Sequence, residues 1–311
     1  MNGLIQGVRG LVAALSAASV VCAAQAASPL EEVCGACQAV RFAHCGGFLE
    51  GPTFDRDGTL WVVDLKGGGI MKVGGGRCTT VVNTGGSPNG ARFHRDGRLF
   101  IADARKGLLI LDPRTGALTV RADGSNGVSL EGANDLVFDE AGGLYMTVRG
   151  TSTELDRTGD VIYLPPGETS EPRIFADRLA FPNGIAISPD GMKVMIGLYA
   201  DQSILAMTAV TNPAAFRMNG LFVRTEGGVG PDGIVFDAAG RLFWAEFGDG
   251  SIGVADAKGH PIGRIALPMD AGPNISNLAC HDGALYITEG SKGDVWRLPV
   301  KTPGAPLFHQ H

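Results

Sequence analysis

Asn89-Gly-Ala-Arg-Phe-His-Arg-Asp-Gly-Arg-Leu-Phe-Ile-Ala-Asp103 decides the fold. An oxygen-bearing side chain opens the stretch and a short apolar strand follows. Asp96-Gly97 supplies a hairpin turn, and a second apolar strand closes the unit. The pattern occurs six times, led by Glu50, Asn89, Asn134, Asn183, Asp232 and Asn277. The turns are Asp57-Gly58, Asp96-Gly97, Gly142-Gly143, Asp190-Gly191, Gly240 and Asp282-Gly283. Successive lead residues lie 39, 45, 49, 49 and 45 positions apart. A repeat of about 40–50 residues, with two clear strands and room for two more, is a β-propeller blade. The reading is an all-β, six-bladed β-propeller. A β-helix or a β-sandwich has no reason to repeat a hairpin at this period.

Composition agrees. The chain has 311 residues, of which 47 are Gly, roughly twice the usual share, as many tight turns require. Hydrophobic residues make up 44%, enough for a large core, so disorder is excluded. The net charge is −6 with Lys and Arg scattered, which argues against nucleic acid as a partner.

Residues 1–26 carry one charge, Arg9, then an apolar run from Leu11 to Ala24 and a small-x-small site at Ala24-Gln25-Ala26. This reads as a secretory signal peptide, so the mature protein is expected to be periplasmic or secreted and free of the membrane. Residues 27–46 are expected to hold a cysteine cluster and a strand that completes blade six. Residues 47–301 are expected to form the propeller and 302–311 a loose tail carrying His309 and His311. Cleavage leaves Cys34, Cys37, Cys45, Cys78 and Cys280. One or two structural disulfides in the N-terminal segment and at least one free thiol are expected, with the pairing open.

Equivalent positions of successive blades lie at equal heights around a propeller's channel. Six oxygen-bearing residues in register therefore predict a ring at one mouth. Buried carboxylates are costly unless paired or metal-bound. Oxygen-only ligands suit a hard divalent cation, Ca²⁺ first and Mg²⁺ or Mn²⁺ next, with the softer Zn²⁺ a further alternative. Asx-type turn bonds could explain the Asn-Gly and Asp-Gly pairs singly, but not a Glu in the same register. Gly228-Val-Gly230-Pro-Asp-Gly233 fits G-x-G-x-x-G, yet a strand follows it rather than a helix, so it signals no dinucleotide site. No serine-hydrolase elbow or zincin motif occurs.

Glu50-Gly-Pro, Asn134-Asp, Pro-Asn183-Gly and Pro-Asp232-Gly, each opening a repeat, resemble the SMP-30/gluconolactonase/LRE-like family. The second and third blades look like its diisopropylfluorophosphatase and Drp35-lactonase branch. The resemblance runs from about residue 47 to 298. It implies a six-bladed propeller with one catalytic divalent ion, held by Glu50, Asn134, Asn183 and Asp232. Asp232 inherits the role of base or nucleophile. The implied reaction is metal-assisted opening of a lactone, the ion polarising the carbonyl. Alternatives are phosphotriester hydrolysis or a non-catalytic secreted ligand-binding propeller. Asn89, Asn277, Arg149, Tyr199 and Glu289 are expected to bind a small-molecule substrate, with Glu246 and Phe247 also near the pocket wall. A monomer or weak dimer is expected. Two departures bear on the substrate. Sugar-lactone members often carry Arg where Gly132 stands, and the phosphatase carries His where Gly290 stands.

Overall fold

The structure is a computed structural model and describes Met1, residues 28–124, 127–211, 219–306 and Phe308. The expected signal segment from residue 2 onward, His309 and His311 lie outside the described residues. Among the described residues no helix is long and apolar enough to cross a membrane.

Helix α1 (Pro29–Cys34) starts at Ser28, whose hydroxyl and the Glu31 carboxylate form a reciprocal capping box. Strand β1 (Val40–His44) follows, and then the blades. Blade one is β2 (Leu49–Phe54), β3 (Leu60–Asp64), β4 (Gly69–Gly74) and β5 (Arg77–Asn83). Blade two is β6 (Pro88–Phe93), β7 (Leu99–Asp103), β8 (Gly107–Leu111) and β9 (Leu118–Ala122). Blade three is β10 (Ala133–Phe138), β11 (Leu144–Val148), β12 (Gly159–Leu164) and β13 (Arg173–Leu179). Blade four is β14 (Pro182–Ile187), β15 (Lys193–Leu198), β16 (Ser203–Thr208) and β17 (Asn219–Arg224). Blade five is β18 (Gly230–Phe236), β19 (Leu242–Phe247), β20 (Ser251–Ala255) and β21 (Pro261–Ala266). Blade six is β22 (Ile275–His281), β23 (Ala284–Glu289) and β24 (Asp294–Pro299), with β1 as its outer strand.

Each sheet is antiparallel, and the ring closes because β1, from the start of the chain, pairs with β24, from its end. A disulfide reinforces the closure. Cys45, just past β1, is bonded to Cys78 in β5, so the outer edges of blades six and one are tied covalently. A second disulfide joins Cys34 to Cys37, and Cys280 is a buried free thiol.

Inner strands β2, β6 and β10 are buried along their whole length, whereas outer strand β5 is mostly exposed. Six apolar clusters fill the spaces between neighbouring blades. Trp61, Ile101 and Leu109 pack between blades one and two, and Phe243, Ile252 and Leu285 between blades five and six. Burying each such side chain contributes about 1.5–3 kcal/mol.

The hairpin turns sit at one end of the channel. The chain's last described residues cover that end rather than trailing free, a correction to the expected loose tail. Ala238 donates to the Pro303 carbonyl at 2.8 Å and Ala305 to that of Phe236 at 3.0 Å. Phe308 stacks on Phe138, with Arg95 4.0 Å above its ring. Gly304 makes this docking possible, since a Cβ there would come 2.2 Å from that of Cys280. A cavity of about 140 Å³ remains at this end, walled by Phe138, Ile187, Phe236 and Phe308.

Candidate metal centre and channel mouth

All six lead residues lie near the start of their inner strands, at the end opposite the turns. Every inner strand has a one-residue slip in its pairing at or beside the lead residue, such as Pro88/Ala91 and Pro231/Ile234. A bulge bends and twists a strand locally, and here it re-aims the lead residues. Glycine after the lead residue lets the blades approach. A Cβ at Gly51 would lie 2.4 Å from the Asn89 carbonyl oxygen, and one at Gly233 would lie 2.1 Å from Oδ1 of Asn277. Blades one, two, four and five thus seat the opening of the next blade's inner strand.

Glu50, Asn89, Asn134, Asn183, Asp232 and Asn277 are all buried. Asn277 donates to the Glu50 carboxylate at 3.2 Å, and the Gly51 N–H donates to the same oxygen at 3.1 Å. The Asn183 side chain hydrogen-bonds Asp232. Blade three adds a third carboxylate that the sequence reading missed. Asp135 is fully buried, accepts from the Leu136 N–H at 2.8 Å, and leaves Oδ2 without a partner. A charged strand residue also escaped that reading. The Arg92 guanidinium lies 3.8 Å from Oδ1 of Asp135 and donates to the carbonyls of Ala91 and Pro52. The signals were present. Asp135 stands where blades one, two, four and five have Gly, and Arg92 is a lone cation within a buried strand.

Burial pushes the Glu50 carboxyl up to about 8, with Asp135 adding to the rise and Asn277 opposing it. Burial, then the charges of Glu50 and Asp135, raises Asp232 well above the usual carboxylate range. The donor set fits a hard divalent cation. Oδ1 of Asn89 and Oδ2 of Asp135 are buried without partners, and the carboxyls of Glu50, Asp135 and Asp232, once ionised, outnumber the Arg92 guanidinium beside Glu50 and Asp135. Among the described residues, no three His, Cys, Asp or Glu side chains alone make a ligating group. A cation held here would draw on the amide oxygens as well.

Around this mouth runs a chain of rings. Phe48 stacks near Phe247 at 6.4 Å, Phe247 meets Tyr199 edge-on at 5.9 Å, and Tyr199 meets Phe181 at 5.0 Å. Arg149 lies 5.2 Å over Phe181 and Lys66 4.9 Å over Phe48. Burial, then the charges of Asp232 and Glu246, pushes the Tyr199 hydroxyl up to about 12. Burial raises the Glu246 carboxyl. It accepts from the Trp244 indole at 3.0 Å and has one oxygen unpartnered. Glu289, expected to bind substrate, is otherwise engaged. Its carboxylate accepts the N–H groups of Asn274, Ser291 and Lys292 and holds the blade-six turn.

The family described as SMP-30/Gluconolactonase/LRE-like region matches residues 48–306. The chain belongs to this family. A Lactonase drp35 of Staphylococcus saprophyticus is 31% identical over 245 residues, which cover 71% of this chain and 70% of that protein. Among solved structures, the family's propeller is seen in a gluconolactonase from Xanthomonas campestris. The TM-score is 0.74 at 24% identity, covering 87% of this chain and 92% of the other. A calcium-binding regucalcin from Agrobacterium tumefaciens gives a TM-score of 0.71 at 22% identity, covering 86% and 99%. These two show the fold. Within the SMP-30/gluconolactonase frame, Gly132 and Gly290 sit at the mouth, Gly132 beside Arg149 and Gly290 under Phe48.

Proposed function

We propose that the protein is a divalent-cation-dependent lactonase, exported to an oxidising compartment, whose ring of Glu50, Asn134, Asn183 and Asp232 holds the ion. The reading rests above all on one observation. Three buried carboxyls that feel one another's charge lie with the Arg92 guanidinium among amide oxygens, a charge pattern that a divalent cation would complete. When bound, the ion would polarise the lactone carbonyl and hold Glu50 and Asp232 ionised. Asp232 serves as base or nucleophile at the mouth, oriented by Asn183. Asn277 fixes Glu50, and Asn89, whose oxygen is unpartnered, is available to ion or substrate. The kinship with the lactonase relative and the two disulfides support the reading.

Hydrolysis of a panel of lactones, esters and phosphotriesters tests it. Lactones should be opened, EDTA should abolish turnover, and Ca²⁺ should restore it. Absence of turnover on every compound by the cation-loaded protein rejects the enzyme reading in favour of a binding propeller.

A further inference from the structure

The mouth has one apolar side, and a glycine makes it. Second strands return to the mouth at Leu65, Ala104, Arg149, Tyr199, Phe247 and Gly290, in blade order. At this position blade six thus contributes no side chain, and Phe48 from blade one lies over the gap. A Cβ at Gly290 would come 2.6 Å from Cζ of Phe48, so any side chain there displaces the ring. With Gly, the rings of Phe48, Phe247, Tyr199 and Phe181 form a continuous crescent, each half-buried and each in ring contact with the next. Cation–π contacts from Lys66 and Arg149 bound its two ends. The Tyr199 backbone packs on β18 two residues before Asp232, where a Cβ at Gly230 would come 2.0 Å from the Tyr199 carbonyl oxygen.

We propose that this crescent is the substrate's apolar subsite, that the lactone carries a flat apolar group such as a phenyl ring, and that Gly290 sets this preference by letting Phe48 cover blade six. The proposal takes only the reacting group from the lactonase reading. Four rings offer aromatic faces and edges and a single polar atom, the Tyr199 hydroxyl. A polyhydroxylated sugar lactone laid against them would leave hydroxyls without partners, which sites discriminate against strongly.

Calorimetric binding of two non-hydrolysable γ-lactams to the Ca²⁺-loaded protein tests this, one bearing a phenyl group and one unsubstituted. The phenyl lactam should bind about tenfold or more tightly. Phe48→Ala and Gly290→Ala should each cut that ratio severalfold, the second by displacing Phe48 while removing no apolar atom. A polyol-substituted lactam that binds as well as the phenyl one, equal affinity for phenyl and unsubstituted lactams, or a ratio unmoved in both variants overturns the proposal. Phenyl-selective binding without hydrolysis of the matching lactones would instead overturn the lactonase reading and leave the subsite standing.

Discussion

Two sets of buried carboxylates lie at the same end of the propeller and are treated oppositely by the fold. Asp103 and Glu289 close second strands, where the chain turns and its N–H groups point inward. Asp103 accepts from the Thr84 hydroxyl at 2.8 Å, the Ser87 N–H at 2.9 Å and the Arg105 N–H at 3.0 Å. Glu289 is held by three N–H groups and by the Ser291 hydroxyl. Glu50, Asp135 and Asp232 are as deeply buried, yet they face the channel, where no turn supplies donors. Their partners are single N–H groups, two amides and one guanidinium. The blades satisfy the first set and leave the second short of donors. Burial alone therefore does not mark a functional carboxylate, whereas burial without sufficient donors does.

The strongest way to break this contrast is to exchange acid for amide in each set. Asp232→Asn should lower kcat/KM for lactones on the order of 10³-fold or more while the melting temperature of the cation-free protein holds or rises. Asp103→Asn should do the reverse, lowering the melting temperature with and without cation and leaving cation affinity unchanged. Equal losses of activity in the two variants would erase the distinction.

The pH dependence comes next in size. The Glu50 carboxyl is pushed up to about 8 in the fold from an ordinary value near 4.5. Its contribution to stability is therefore fully present below that ordinary value and is lost as pH rises through about 8. The cation-free protein should lose roughly 10 °C in melting temperature between pH 5 and pH 8, and saturating Ca²⁺ should abolish the slope. A slope unchanged by Ca²⁺ would place the ion elsewhere.

Arg92 offers a subtler test, because two consequences of its charge have opposite signs. Arg92→Met keeps an apolar stem but removes the countercharge beside Asp135. The cation-free protein should melt about 5 °C lower, while Ca²⁺ should bind about tenfold more tightly. A purely packing role for Arg92 predicts loss of stability with no gain in affinity.

The blades are legible in the sequence because each states itself locally, as a strand, a Gly turn and a strand. The lead ring is legible because the repeat carries Glu50, Asn134, Asn183 and Asp232 in one register, and the structure brings those positions to one mouth. Asp135 and Arg92 are harder to read, since their meaning depends on facing each other across blades. Phe48 and Phe181 precede their inner strands as ordinary apolar residues, and only closure of the ring turns them into a wall. Glu289 shows the converse. Its place after an inner hairpin suggests a pocket, but the backbone of the blade-six turn claims both of its oxygens.

The central claim is that the ring holds one divalent ion on its unsatisfied carboxylates. Calorimetric titration of the cation-free protein with Ca²⁺ at pH 7, repeated in buffers of different ionisation enthalpy, tests it most directly. The expected result is one ion per chain, bound with release of protons from the buried carboxyls, and loss of that binding in both Glu50→Gln and Asp232→Asn. Binding that survives in either variant, or no binding by the native chain, would contradict it.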